Sequence, residues 1–94
     1  MPIVMVTTAP SRDLYEQVTK LVDLAAERPT GLILHAASEL AGGEVQIVDV
    51  WESDEARMAF GETRLFPAFE AAGVGHLVRT APPPPAHPTF DFVG

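Results

Sequence analysis

Cysteine is absent from the 94 residues, which excludes a disulfide framework and any thiolate metal site. Basic residues are few. Arg12, Lys20, Arg28, Arg57, Arg64 and Arg79 are scattered among 13 acidic ones, and the formal net charge is −7. No basic stripe is available for nucleic acid, and an acidic surface mainly serves solubility. No apolar run approaches the roughly 20 residues of a transmembrane helix, so no membrane partner is expected. The opening MPIVMVTTAP lacks a basic stretch ahead of a long apolar one, so no signal peptide and a cytoplasmic location are expected. GxSxG, P-loop, dinucleotide-binding and HExxH motifs are all missing. No two of the three histidines have helical i, i+4 ligand spacing, which argues against a metal centre. A haem would have to take His35 or His76 as its axial ligand; no other cofactor signature occurs, and none is expected.

What remains is a chain with an ordinary globular apolar fraction of 47% and the length of one domain. Ile, Val, Met and Thr between Pro2 and Thr8 read as a strand. Ser11 is suited to cap a helix whose apolar stripe is Leu14, Val18, Leu21, Val22, Ala25 and Ala26, ending near Arg28 ahead of Pro29. Leu32 to Ser38 and Glu44 to Glu52 read as two strands joined by an Ala41-Gly42-Gly43 turn, an antiparallel hairpin. Ser53 caps a second helix, with Asp54 and Glu55 at its positive end. Gly61 and Pro67 predict a break between Gly61 and Phe66, and Val74 to Thr80 reads as a fourth strand. These elements place the domain at residues 1–80. An extended, proline-rich arm is expected over 81–94: Ala81 to Pro88 holds five of the nine prolines, and Thr89 to Val93 alternates like a short strand. Phe90 and Phe92 argue that the arm docks.

The order β-α-β-β-α-β predicts an α+β, ferredoxin-like fold, a four-stranded antiparallel sheet with both helices on one face. The other face is too apolar to stay wet, so a second copy is expected to cover it. A hairpin centred on Gly42 sets His35 opposite Asp49 and Ile33 opposite Trp51. The uniformly apolar set Leu32, Leu34, Ala36, Val48 and Val50 is then expected to meet the helices. Ile33, His35, Ala37, Val45, Ile47, Asp49 and Trp51 are expected to line a cavity, with Met5, Thr7 and His76 as further candidates. A carboxylate that fixes the tautomer of an imidazole makes a general base, and His35 with Asp49 has that composition. The same pair also serves as a structural cross-strand hydrogen bond. Trp51 suits either stacking on a flat substrate or filling a core. Tyr15, near the start of the first helix, reads as amphipathic packing, and His87 as solvent-exposed.

The run V-D-V-W-E-S-D-E-A, a helix carrying Phe60, and then R-L-F-P-A-F resembles the small dimeric α/β-barrel proteins related to antibiotic-biosynthesis monooxygenases. G-L-I-L-H-A-A is similar to a strand of small members of that group. The resemblance covers Pro2 to Thr80. It implies a homodimer whose two sheets close into a barrel, and a hydrophobic aromatic or polyketide-like substrate handled without cofactor by oxygenation, cyclisation or isomerisation. It also matches Trp51 to a residue type that lines the oxygenase pocket. With no asparagine in the chain, it does not extend to the Asn-His-Trp trio of haem-degrading relatives.

Two functions follow as expectations. In the first, a cofactor-independent enzyme uses His35 as base, Asp49 to orient it, and Trp51, Ile33, Ile47, Met5 and His76 to hold the substrate. In the second, a homodimer binds a small ligand or serves a stress response without catalysis.

Overall fold

A computed structural model describes residues 2–75 and 86–91. Strand β1 (Ile3–Ala9) leads to helix α1 (Arg12–Val22), then to β2 (Leu32–Glu39) and β3 (Val45–Trp51). Helix α2 (Asp54–Phe60) passes through a π-helical turn over Gly61–Leu65 into α3 (Phe66–Ala71), and β4 is Ala86–Pro88. The four strands form one antiparallel sheet in the order β2-β3-β1-β4. This α+β arrangement is compatible with a ferredoxin-like fold.

Local chemistry accounts for most of these boundaries. The Ser11 hydroxyl accepts from the Leu14 amide at 3.2 Å and the Ser53 hydroxyl from the Ala56 amide at 3.2 Å, so both helices begin at the expected caps. Pro67 has no N–H to donate and crowds the carbonyl four residues back. The wider π turn relieves that crowding, and the Phe66 amide reaches the Gly61 carbonyl five residues earlier. Gly43 closes the β2–β3 turn at φ 91°, where a side chain would be strained. Gly31 has φ 86°, and a Cβ there would lie 2.6 Å from the Ala56 methyl, so only glycine lets α2 approach so closely.

Three expectations are corrected. Helix α1 stops at Val22 rather than near Arg28. Asp23 takes a left-handed conformation (φ 52°), its amide bonding Thr19 O at 2.8 Å and its carboxylate accepting from the Ala26 amide at 3.3 Å. A short carboxylate offers the backbone that alternative to another helical turn. Arg64 then closes the helix end, donating to Val22 O at 2.5 Å and Glu27 O at 2.6 Å while lying 5.6 Å from the centroid of the Phe60 ring. Second, Val74 and Gly75 lie in no strand, and residues 76–80 fall outside the described ones. The position beside β1 is taken by Ala86–Pro88, from the segment expected to be an arm.

The third correction concerns the faces of the sheet. Leu32 pairs with Trp51 but Leu34 pairs with Val50, so Ile33 is an extra residue in a bulge and does not oppose Trp51. The bulge turns Leu32 onto the face of Trp51, where both join Met5 in a buried cluster against Ala56, Phe60 and Ala86. Arg28 holds the bulge by donating to Leu32 O and Ile33 O, each at 2.8 Å. The helices therefore cover the face of Met5, His35, Asp49 and Trp51. The face of Val6, Leu34, Ala36 and Val48 points away from them, with Val6 48% and Leu34 45% exposed. The covered face holds the largest aromatic surface in the sheet, and Trp51 meets Phe60 at a centroid distance of 5.3 Å. Phe60 also packs on a second cluster, Val18, Val22 and Ala68, which joins α1 to α3.

Candidate functional site

His35 and Asp49 are direct partners across β2 and β3, as the turn register predicts. His35 Nδ1 lies 2.5 Å from Asp49 Oδ1. Their side chains are 23% and 24% exposed, so the pair is mostly but not wholly shielded from water. Because this face meets the helices, α1 reaches the pair: the Tyr15 hydroxyl lies 2.7 Å from His35 Nε2. A neutral imidazole satisfies both bonds in one tautomer, with Nδ1–H donating to the carboxylate and Nε2 accepting the phenol O–H. The two rings are nearly parallel, at 6°, with centroids 6.2 Å apart. That is too far for stacking and suits two rings meeting edge to edge through an in-plane bond. Asp49, His35 and Tyr15 thus form one hydrogen-bonded chain from β3 through β2 to α1.

Burial, and then the Asp49 carboxylate, push the Tyr15 phenol above its ordinary value of 10.0. The phenol is therefore protonated at neutral pH. Stability from this group is fully present below the unfolded value and is lost as pH rises through the higher folded one. Tyr15 is the only tyrosine, so phenolate absorbance reports it alone. A spectrophotometric titration should place its midpoint above that of free tyrosine, with unfolding setting in over the same alkaline range. A midpoint at or below the free value would contradict the burial.

Tyr15 also lines an open cleft of about 250 Å³ between the first turn of α1 and the outer ends of β2 and β3. Ala37 and Val45 give it apolar walls, and Arg12, Glu16 and Glu39 form its rim. Arg12 pairs with Glu16 at 2.9 Å and with Glu39 at 3.7 Å.

The remaining sequence candidates lie elsewhere. Trp51 is 3% exposed and Met5 9%, both in the cluster under Phe60, where their contribution is packing. Ile33 is the half-buried bulge residue, and Ile47 lies half-buried on β3 between Ala37 and Thr7. His87 is exposed beside Val4. His76 lies outside the described residues. Tyr15 is the functional candidate that sequence reasoning passed over. Its signal was its place with Val18 and Val22 in one i, i+3, i+7 stripe, which turns the phenol toward the sheet.

Among the described residues no three His, Asp or Glu side chains converge as metal ligands would, and no helix is long and apolar enough to cross a membrane. No family model matches the chain and no curated protein shows significant similarity to it. What fold and site define together is an α+β protein with a half-buried Tyr–His–Asp chain at a cleft.

Proposed function

We propose that the protein is a cofactor-independent, cytoplasmic enzyme of the dimeric α/β-barrel type, related in design to the antibiotic-biosynthesis monooxygenases. It acts on a hydrophobic aromatic or polyketide-like small molecule by proton transfer. The observation that carries this is the His35–Asp49 pair, bonded at 2.5 Å with its outer nitrogen reached by a hydroxyl. His35 is the base that takes a proton from an acidic position next to a carbonyl. Asp49 holds the tautomer and stabilises the imidazolium that forms. The resulting anion is the common starting point for cyclisation, isomerisation or reaction with oxygen. The test is turnover by the purified protein, followed as oxygen uptake and ring closure, on flat phenols of one to several rings. Conversion without added cofactor supports the reading. No conversion of any of them, with the fold intact, removes it and leaves a ligand-binding or structural dimer.

The outer face of the sheet supports the homodimer. Val6 and Leu34, about half exposed, belong to an apolar patch that a second copy would cover. Sedimentation should give twice the 10.1 kDa chain mass. Leu34→Glu, which puts a charge in the patch without touching the helices, should shift the protein to monomer. A wild-type monomer at micromolar concentration would overturn this part.

A further inference from the structure

Resting on the reading of His35 as the base, we propose that Tyr15 is the residue that meets the substrate. In this scheme the cleft beside Tyr15 takes a single-ring weak acid, a phenol or an enolised dicarbonyl, whose proton reaches His35 through the Tyr15 hydroxyl. Three observations converge on it.

The first is access. Of the three members of the hydrogen-bonded chain, Tyr15 alone lines the cleft. His35 Nε2, the nitrogen that must accept a proton, is already occupied by the Tyr15 hydroxyl at 2.7 Å. A substrate arriving from the cleft therefore meets Tyr15 before it can meet His35.

The second is direction. Nδ1–H is committed to Asp49 at 2.5 Å, so the ring has one lone pair, and it points at Tyr15. The transfer balances with no other reactant. The substrate O–H or C–H bond breaks and its proton bonds to Tyr15 Oη, while the Tyr15 O–H bond breaks and that proton bonds to His35 Nε2. The products are a substrate anion, an unchanged phenol and an imidazolium paired with Asp49. No electron leaves or enters. Tyr15, protonated at neutral pH, acts as a conduit and not as a standing base.

The third is size and lining. The cleft, open to solvent on one side, has a volume of about 250 Å³, against about 150 Å³ for an enclosed cavity that holds benzene, so the occupant proposed for it is one substituted ring. Ala37 and Val45 suit the flat faces of a ring. Among the described residues Arg12 is the one cation lining the cleft, and it is paired with Glu16 and Glu39.

The test uses 4-nitrophenol, whose absorbance reports its own ionisation, at a pH where the free probe is protonated. The wild type should bind it and shift the spectrum to the phenolate. Tyr15→Phe keeps the ring packing, so it should bind with similar affinity and lose the shift. His35→Phe should lose the shift as well. Ala37→Trp, which fills the cleft, should abolish binding, with circular dichroism reporting the fold of each variant. A shift that persists in Tyr15→Phe but is lost in His35→Phe overturns the role of Tyr15 and leaves His35 as a base in direct contact. A shift that survives His35→Phe overturns the base itself. Failure of the wild type to bind, or binding indifferent to Ala37→Trp, overturns the cleft as the site, and catalysis on larger substrates can still be judged by the turnover assay.

Discussion

Replacing Trp51 by alanine should cost about 3–5 kcal/mol, the range for a fully packed aromatic cut back to a methyl group. At 3% exposure Trp51 is among the most completely buried side chains described, and it joins β1, β2 and α2 through Met5, Leu32 and Phe60. Phe60 also supports the Val18, Val22 and Ala68 cluster, so a cavity at Trp51 loosens both halves of the core. A chain of this length has a total stability of about 5–14 kcal/mol. The variant should therefore melt far earlier in urea, or be unfolded without it. Trp51→Phe, which keeps a ring against Phe60, should recover much of the loss. A denaturation midpoint equal to wild type would mean that Trp51 faces a ligand space and not a packed core.

His35→Ala should lower turnover by about 10²- to 10⁴-fold, the usual contribution of a positioned general base. Its effect on stability should be much smaller. The imidazole is about one-quarter exposed, so water can reach the Asp49 and Tyr15 groups it leaves behind, and the loss should be about 1–2 kcal/mol. Asp49→Asn keeps an oxygen able to accept from Nδ1–H but removes the charge that balances the imidazolium. It should leave the fold unchanged and still slow the reaction. The reverse pattern, a large fall in stability with turnover preserved, would make the pair a structural tie between β2 and β3.

Much of this arrangement was legible in the residues. The Ser11 and Ser53 caps, the glycine turn that pairs His35 with Asp49, and the disturbance ahead of Pro67 each follow from short-range chemistry. What the residues could not settle was which face of the sheet the helices would cover. Alternation separates Val48 and Val50 from Asp49 and Trp51, but both sets contain enough apolar surface to be buried. The decision lies in long-range contacts between Trp51 and Phe60 and between His35 and Tyr15. Ile33 illustrates the same limit. A bulge of one residue reverses the side on which Leu32 falls, and nothing in G-L-I-L-H announces it; its clamp, Arg28, sits beyond a proline. The pairing of Ala86-His87-Pro88 with β1 is hidden in the sequence because those residues follow a run of prolines, whereas an edge position tolerates proline. Tyr15 reads as mere packing as long as His35 is placed on the side of the sheet away from the helices, whereas α1 lies over the His35 side.

The Arg28 clamp has a bearing on how copies of this chain can meet. A free strand edge invites further strands to add, one molecule after another, into fibres. Here the β2 edge is bent by the bulge, and two of its carbonyls, on Leu32 and Ile33, are already taken by a guanidinium. The opposite edge, β4, is three residues long and ends on Pro88, which has no N–H to offer. Among the described residues both edges thus resist lateral growth, which leaves the flat face of Val6 and Leu34 as the surface for the proposed pairing. In the proposed homodimer that face would be used up once two copies had met, and assembly would end there instead of propagating.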